Sequence, residues 1–160
     1  MSTTGAPFRV PFNSRVPGID YGVLDTLVGY GVRRAQLALN DCFIQSLAPW
    51  NITPPRFSAL VLISRNPGVR LTQLAQILGI ARSGAVMLVD SLQALGYVER
   101  LVVPEDRRAF GLVLTAKGQT DLAGIIHAVA SQDQLAARAL SAKEHAQLLR
   151  LLQKISTVAV

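Results

Sequence analysis

Two short stretches hold the side chains in this 160-residue sequence that are equipped for chemistry. One is the polar run Pro104-Glu105-Asp106-Arg107-Arg108-Ala109, where two adjacent guanidinium forks suit planar anions and phosphates. The other begins with Arg82 and Ser83 and continues through Val86, Met87 and Asp90. A serine hydroxyl can bond a base edge or a phosphate, valine and methionine can touch thymine methyls, and an arginine in a first helical turn can reach a phosphate. Together with Thr72, these residues point to nucleic-acid contact rather than bond-making. Catalytic signatures are missing: there are two histidines (His127 and His145), one cysteine, no glycine-rich phosphate loop and no nucleophile elbow. No Cys/His spacing suits zinc, so neither a metal nor a cofactor is expected, and nothing supports an enzyme.

Composition agrees with an anionic partner. Sixteen Lys and Arg against ten Asp and Glu give a net charge of +6, with an isoelectric point near 10.2. Half the residues are hydrophobic, which argues against a disordered chain, and the length is that of one domain. Mean hydropathy is high at +0.34, yet no apolar run approaches the ~20 residues of a membrane-spanning helix. Arg9 and Arg15 lie among prolines with no apolar signal core behind them, so a cytoplasmic location and no membrane partner are expected. Cys42 cannot form an internal disulfide.

The elements that must position these side chains can be read in order. Pro7, Pro11 and Pro17 with Gly5 and Gly18 make residues 1–18 an irregular arm. From Asp20 to about Ala48, apolar residues such as Leu24, Leu27, Val28, Ala35, Leu39 and Cys42 recur at helical steps, predicting one long amphipathic helix. Gly22, Gly29 and Gly31 weaken its first half and suggest close packing or a bend. Thr53 before Pro54-Pro55 reads as a capped helix start, and that helix runs to Asn66. A short helix follows from about Thr72, with Thr72 as its cap, to Leu78. A tight turn at Leu78-Gly79-Ile80-Ala81 leads into another helix from Arg82 to Leu95, a helix-turn-helix. The period then changes: Tyr97–Val103 and Phe110–Thr115 read as two strands of a hairpin with the charged run at its tip. Thr115 caps a helix to about Ala139, and Ser141 with Glu144 forms a capping box for a last helix to about Val158.

On the second motif helix, Ala85, Leu88, Val89, Leu92 and Leu95 share one face, which should be buried. Ser83, Met87, Asp90 and Ala94 lie opposite, with Val86 at the edge. Ser83 also fits a plain helix-capping role.

A helix-turn-helix followed by a hairpin with arginines at its tip is a winged helix-turn-helix: the second helix can enter the major groove and the wing can reach the backbone or minor groove. Over Thr53 to Gly118 the sequence resembles the MarR family of bacterial transcription regulators. The resemblance is carried by Leu74-Ala75, Leu78-Gly79-Ile80, Val89-Asp90-Ser91-Leu92, Gly96-Tyr97-Val98-Glu99-Arg100, Asp106-Arg107-Arg108, Leu112, Leu114-Thr115 and Lys117-Gly118. Many family members carry basic or polar groups near the position of Met87. This chain does not, so the wing and DNA shape would supply more of the recognition.

The resemblance implies a mainly helical fold with a small hairpin wing. It also implies DNA contacts from Thr72, Arg82, Ser83, Val86, Met87, Arg107 and Arg108, and an ion pair from Asp90 to Arg108, with Asp106 beside it, that orients the wing. The same three charges would also sit as ordinary solvated loop residues. The implied organisation is an arm (1–18), a dimerisation helix (19–52), a winged lobe (53–115) and C-terminal dimerisation helices (116–160). Leu148, Leu149, Leu151, Leu152 and Ile155 are interface candidates, unless they serve the chain's own core. A homodimer would set two recognition helices about 34 Å apart on a pseudo-palindromic double-stranded operator.

Family members often respond to small aromatic or phenolic acids, for which Tyr21, Tyr30, Arg33, Arg34 and His127 are the candidate pocket residues. Each also fits a plainer role on a solvated face or in the core. Cys42 suggests redox sensing in some relatives. Here Asp41 beside it disfavours a thiolate, and a buried packing role is the default. The expected activity is that of a repressor relieved by an aromatic ligand. A non-specific architectural DNA-binding protein is the rival, and a protein-interaction module would show no salt-sensitive DNA binding.

Overall fold

The computed structural model describes residues 12–103 and 106–157; of residues 102, 103 and 106–109 it describes the backbone alone. The chain divides into two units, residues 1–42 and 43–160.

In the first unit, the helix expected from Asp20 is interrupted. The Asp20 carboxylate accepts the Gly22 N–H at 2.9 Å, and Gly22 takes a positive φ of 52° that its missing Cβ permits. A 3-10 turn over Gly22–Thr26 follows. Leu27 is then extended (φ −92°, ψ 119°), so the regular helix α1 starts only at Val28 and runs to Leu47. The close packing anticipated around Gly29 and Gly31 is not found among the described residues, since nothing lies within 4 Å of a Cβ placed on either. Cys42, expected to be buried, is exposed: the apolar stripe it belongs to is left uncovered by the described residues.

The second unit holds the core. Helix α2 (Pro54–Arg65) starts where Thr53-Pro54-Pro55 predicts, with Thr53 extended and proline in the first turn. Its hydroxyl makes no capping bond, so the proline geometry rather than a side-chain cap starts this helix. Strand β1 (Val69–Arg70) leads into α3 (Leu71–Leu78) and α4 (Arg82–Ala94). Gly79 in the left-handed region (φ 64°) ends α3, and the two helices meet at 109°, within the range of helix-turn-helix pairs. Thr72 is not the cap of α3. Arg70 holds that position, and the Gln73 side chain accepts its N–H at 3.0 Å.

Strands β2 (Val98–Val103) and β3 (Asp106–Leu114) form the antiparallel hairpin. β3 begins at Asp106, but its regular ladder with β2 ends at Phe110 opposite Val102; residues 107–109 bulge between that pair and Val103–Asp106, at the end of the hairpin where the charged tip was expected. The sheet has a third member: β1 pairs with β3, Val69 opposite Leu112 and Arg70 opposite Gly111, giving the order β1-β3-β2. Two residues are too few to show a period of two, so this strand carries no sequence signal. A Cβ on Gly111 would stand 2.9 Å from the Gly68 Cα, and the close approach of the two backbones needs glycine there.

Helix α5 (Ala116–Ala136) opens at Thr115, whose hydroxyl accepts the Gly118 N–H at 3.0 Å and donates to the Gly96 carbonyl at 2.6 Å. Helix α6 (Ala142–Ser156) carries the expected box: Ser141 Oγ accepts the Glu144 N–H at 3.3 Å, and the Glu144 carboxylate accepts the Ser141 N–H at 2.8 Å. Leu60, Ile63, Leu74, Val89, Leu92, Leu112 and Ile125 are fully buried. The core therefore joins α2, α3, α4, β3 and α5, each such side chain contributing about 1.5–3 kcal/mol. No single helix among the described residues is long and apolar enough to cross a membrane.

Candidate nucleic-acid interface

Helix α4 is two-faced as its sequence requires. Ala85, Val89 and Leu92 are wholly buried, and Leu88 and Leu95 pack against the core from its edge. The opposite face, Ser83, Met87, Asp90 and Ala94, is exposed, with Val86 half-buried between the two. Met87 is 73 % exposed, a large apolar side chain offered to solvent by a helix that had buried positions available. The N-cap of α4 is Ala81, which has no side-chain capping group. Ser83 lies one turn position inside the helix and is not its cap, which leaves its hydroxyl exposed.

Asp90 has a cationic partner, and it is a different one from the residue the family resemblance implies. The Arg100 guanidinium donates to Asp90 Oδ1 at 2.7 Å. Arg107, Arg108 and Asp106 have no described side chains, so the expected Asp90–Arg108 pair lies outside the described residues. A sequence signal for Arg100 existed: it stands two residues after the buried Val98, so strand alternation turns it toward the helices while Glu99 and Leu101 turn away.

Beside this pair is a cleft of about 240 Å³, lined by Arg70, Leu71, Thr72, Arg82, Arg100, Phe110 and Leu112. The first residues of α3, the first residue of α4 and both long strands of the sheet thus converge on one spot. Thr72 and Arg82, both contact candidates from sequence, meet here. Arg70 and Arg100 escaped the sequence reading, the first because the turn before α3 hides that it belongs to the sheet.

The candidate effector residues separate. In the first unit, the Arg34 guanidinium lies 5.1–5.3 Å from the ring centres of Phe12, Tyr21 and Tyr30 and donates to the Tyr30 hydroxyl at 2.8 Å. Arg15 stacks on Tyr21 at 5.2 Å and pairs with Asp25 at 2.9 Å, and the Val16 N–H donates to the Tyr21 hydroxyl at 3.1 Å. Residues 12–16, expected to belong to an irregular arm, are thus folded back onto Tyr21 and Arg34 by cation–π and hydrogen-bond contacts. Arg33 is exposed. His127 is exposed on α5, in the second unit.

Comparison with known proteins agrees with this architecture. A model of the MarR family matches residues 50–109. A protein named for transcriptional regulation of the hcr operon in Thauera aromatica is 32 % identical over 146 residues, covering 91 % of this chain and 88 % of the relative. The multiple antibiotic resistance protein MarR of Escherichia coli is 31 % identical over 111 residues, covering 68 % of this chain and 76 % of that one. Among solved structures, the transcriptional repressor CouR bound to a 23-mer DNA duplex superposes with a TM-score of 0.82 at 36 % identity, covering 86 % of this chain and 98 % of CouR. CouR bound to p-coumaroyl-CoA superposes with a TM-score of 0.79 at 33 % identity, covering 88 % and 99 %. The relatives are regulators rather than enzymes. With its helix-turn-helix, its hairpin wing and these similarities across most of its length, the chain belongs to the MarR family of transcriptional regulators.

Proposed function

We propose that this protein is a homodimeric repressor that binds a pseudo-palindromic double-stranded DNA operator and leaves it when an aromatic or phenolic effector binds. The observation that carries the reading is the exposed face of α4, with Ser83 and the 73 %-exposed Met87 directed outward beside a cleft lined by three arginines. An apolar, hydroxyl-bearing face matches thymine methyls and base edges in a major groove, and Arg82 in the first turn matches a flanking phosphate. In this reading Thr72, Arg82, Ser83, Val86 and Met87 contact DNA, and Arg107 and Arg108 reach the minor groove from the wing.

The dimer reading is supported by apolar side chains that the single chain leaves uncovered. Leu148, Leu149, Leu151, Leu152 and Ile155 on α6 are each 40–50 % exposed. On α1, Val28, Val32, Leu39 and Ile44 are exposed as well. So much exposed apolar surface on helices marks an interface. The effector reading is supported by CouR, which was solved with p-coumaroyl-CoA, and by Arg33, whose exposed guanidinium suits a carboxylate or phosphate. A cytoplasmic location follows from DNA as the partner.

The test is binding to the chain's own upstream intergenic DNA and to random DNA across a salt series. Tight binding with a large preference for the upstream duplex, and release by p-coumaroyl-CoA or aromatic acids, is the expected result. Equal affinity for both duplexes would favour the architectural reading, to which the apolar Met87 on the exposed face of α4 also points.

A further inference from the structure

We propose that the cleft between α3, α4 and the sheet is a phosphate clamp for the DNA backbone, closed by Arg70, Arg82 and Arg100, with Arg70 and Arg100 its newly assigned members. Three guanidiniums converge on a cleft of about 240 Å³. Among the described residues, Arg100 alone of the three has an acidic partner, Asp90, and Arg70 and Arg82 have no ion-pair partner. Such a cluster repels itself unless an anion fills it.

The placement of Arg70 and Arg82 sharpens the point. Arg70 is the N-cap residue of α3, and Arg82 is the first residue of α4. Both therefore sit at the positive ends of helix dipoles, where a cation is disfavoured and an anion favoured. Two helix N-termini, two cations beside them and a third held in place by Asp90 thus favour negative charge at one spot. The Thr72 hydroxyl, also on the cleft, adds a neutral donor suited to a phosphate oxygen. The occupant is a backbone phosphodiester because Arg82 and the base-facing Ser83 are neighbours on α4. A duplex lying on Ser83 and Met87 brings its sugar–phosphate edge past the mouth of the cleft.

This inference rests on the operator-binding reading, and the experiment separates the two. Arg70 is exposed and outside the core, so Arg70→Gln should keep the wild-type melting temperature. It is expected to weaken binding to the upstream and random duplexes by the same factor, about 5–20-fold, and to flatten the log–log salt slope by about 0.9 for the one phosphate released. Duplexes carrying a neutral methylphosphonate at one backbone position after another should reveal one position that costs the wild type this factor and costs Arg70→Gln nothing more.

Unchanged affinity and slope in Arg70→Gln, while the wild type binds DNA normally, would overturn the clamp and leave the operator reading intact. A loss confined to the upstream duplex would overturn it too, since the cleft would then read bases. So would wild-type DNA binding in a variant no longer released by p-coumaroyl-CoA, which would assign the cleft to the effector's phosphates. Failure of the wild type to bind either duplex at any salt would end both readings.

Discussion

Arg100 on β2 and Asp90 on α4 are joined by a 2.7 Å hydrogen-bonded ion pair that ties the base of the hairpin to the exposed face of that helix. Asp90 is 55 % exposed, so water screens the pair and its contribution to stability is at most about 1 kcal/mol. Its value is geometric. Asp90→Ala should therefore melt within a few degrees of the wild type. It should nevertheless bind operator DNA about 3–10-fold more weakly, because Arg100 loses its fixed direction. Counting charge alone gives the opposite sign, since the variant is one unit more positive; tighter binding in a titration at fixed salt would refute the geometric role.

Met87 separates base reading from backbone attraction. Being 73 % exposed, it contributes little to folding, and Met87→Ala should change stability by less than about 0.5 kcal/mol. Loss of contact with thymine methyls should lower operator affinity about 5–10-fold and leave random-DNA affinity and the salt slope unchanged. Competition binding with the two duplexes measures both quantities.

The exposed leucines of α6 predict an assembly defect. Leu148 and Leu152 lie one turn apart on α6 and are 44 % and 40 % exposed. Leu148→Asp with Leu152→Asp would place two carboxylates in the proposed apolar interface. A monomer in sedimentation, still helical and at least 100-fold weaker on a pseudo-palindromic site, is the expected result. A dimer that persists with normal affinity would move the interface elsewhere.

Acid should loosen α6 first at its N-terminus. The Ser141 hydroxyl and backbone N–H, both bonded to the Glu144 carboxylate, hold its pKa below the ordinary 4.5. A lowered folded-state value means that the cap is in full force above the ordinary carboxylate range and is lost as pH falls through the lower, folded-state value. Amide protection in the first turn of α6 should fall as pH drops through the lowered Glu144 value, and Ser141→Ala should show the lower protection already at neutral pH.

Glycine substitutions on two helices should have opposite signs. A Cβ on Gly118 would overlap the Tyr97 carbonyl, whereas one on Gly84 would meet only Ile80 at 3.9 Å. Gly118→Ala is expected to cost about 2–3 kcal/mol, and Gly84→Ala to gain up to about 1 kcal/mol in helix propensity. Thermal melting of the two variants decides.

What the sequence revealed follows physical range. Helix-turn-helix, hairpin and the caps at Thr115 and Ser141 were legible because each rests on residues within a few positions of one another. The two faces of α4 were legible because thirteen residues give the helical period room to repeat. β1 was not, being two residues long. The break before α1 was legible only as the bend that Gly22 suggested; its place at Leu27 was not, because a carboxylate bonding a glycine two positions on leaves the apolar pattern around it unchanged. Cys42 marks a different limit: a stripe on a helix says that a face wants covering, and the same letters serve whether the cover comes from this chain or another. Arg100, the described partner of Asp90, lay in the strand alternation, less conspicuous than the arginines of the wing.

The junction between the hairpin and α5 leaves no slack. Thr115 bonds Gly96 through its hydroxyl and Tyr97 through its N–H. The Lys117 ammonium rests on the Tyr97 ring at 3.4 Å, and Gly118 abuts the Tyr97 backbone with no room for a methyl group. A tilt of α5 cannot be absorbed there; β2 and β3 must inherit it. From Val98 opposite Leu114 to Val103 opposite Asp106 the hairpin reaches about 17 Å, so a tilt of about 10° at its root carries the far end about 3 Å. The hairpin is a lever whose fulcrum is the start of α5, and whatever turns that helix moves the wing tip farthest.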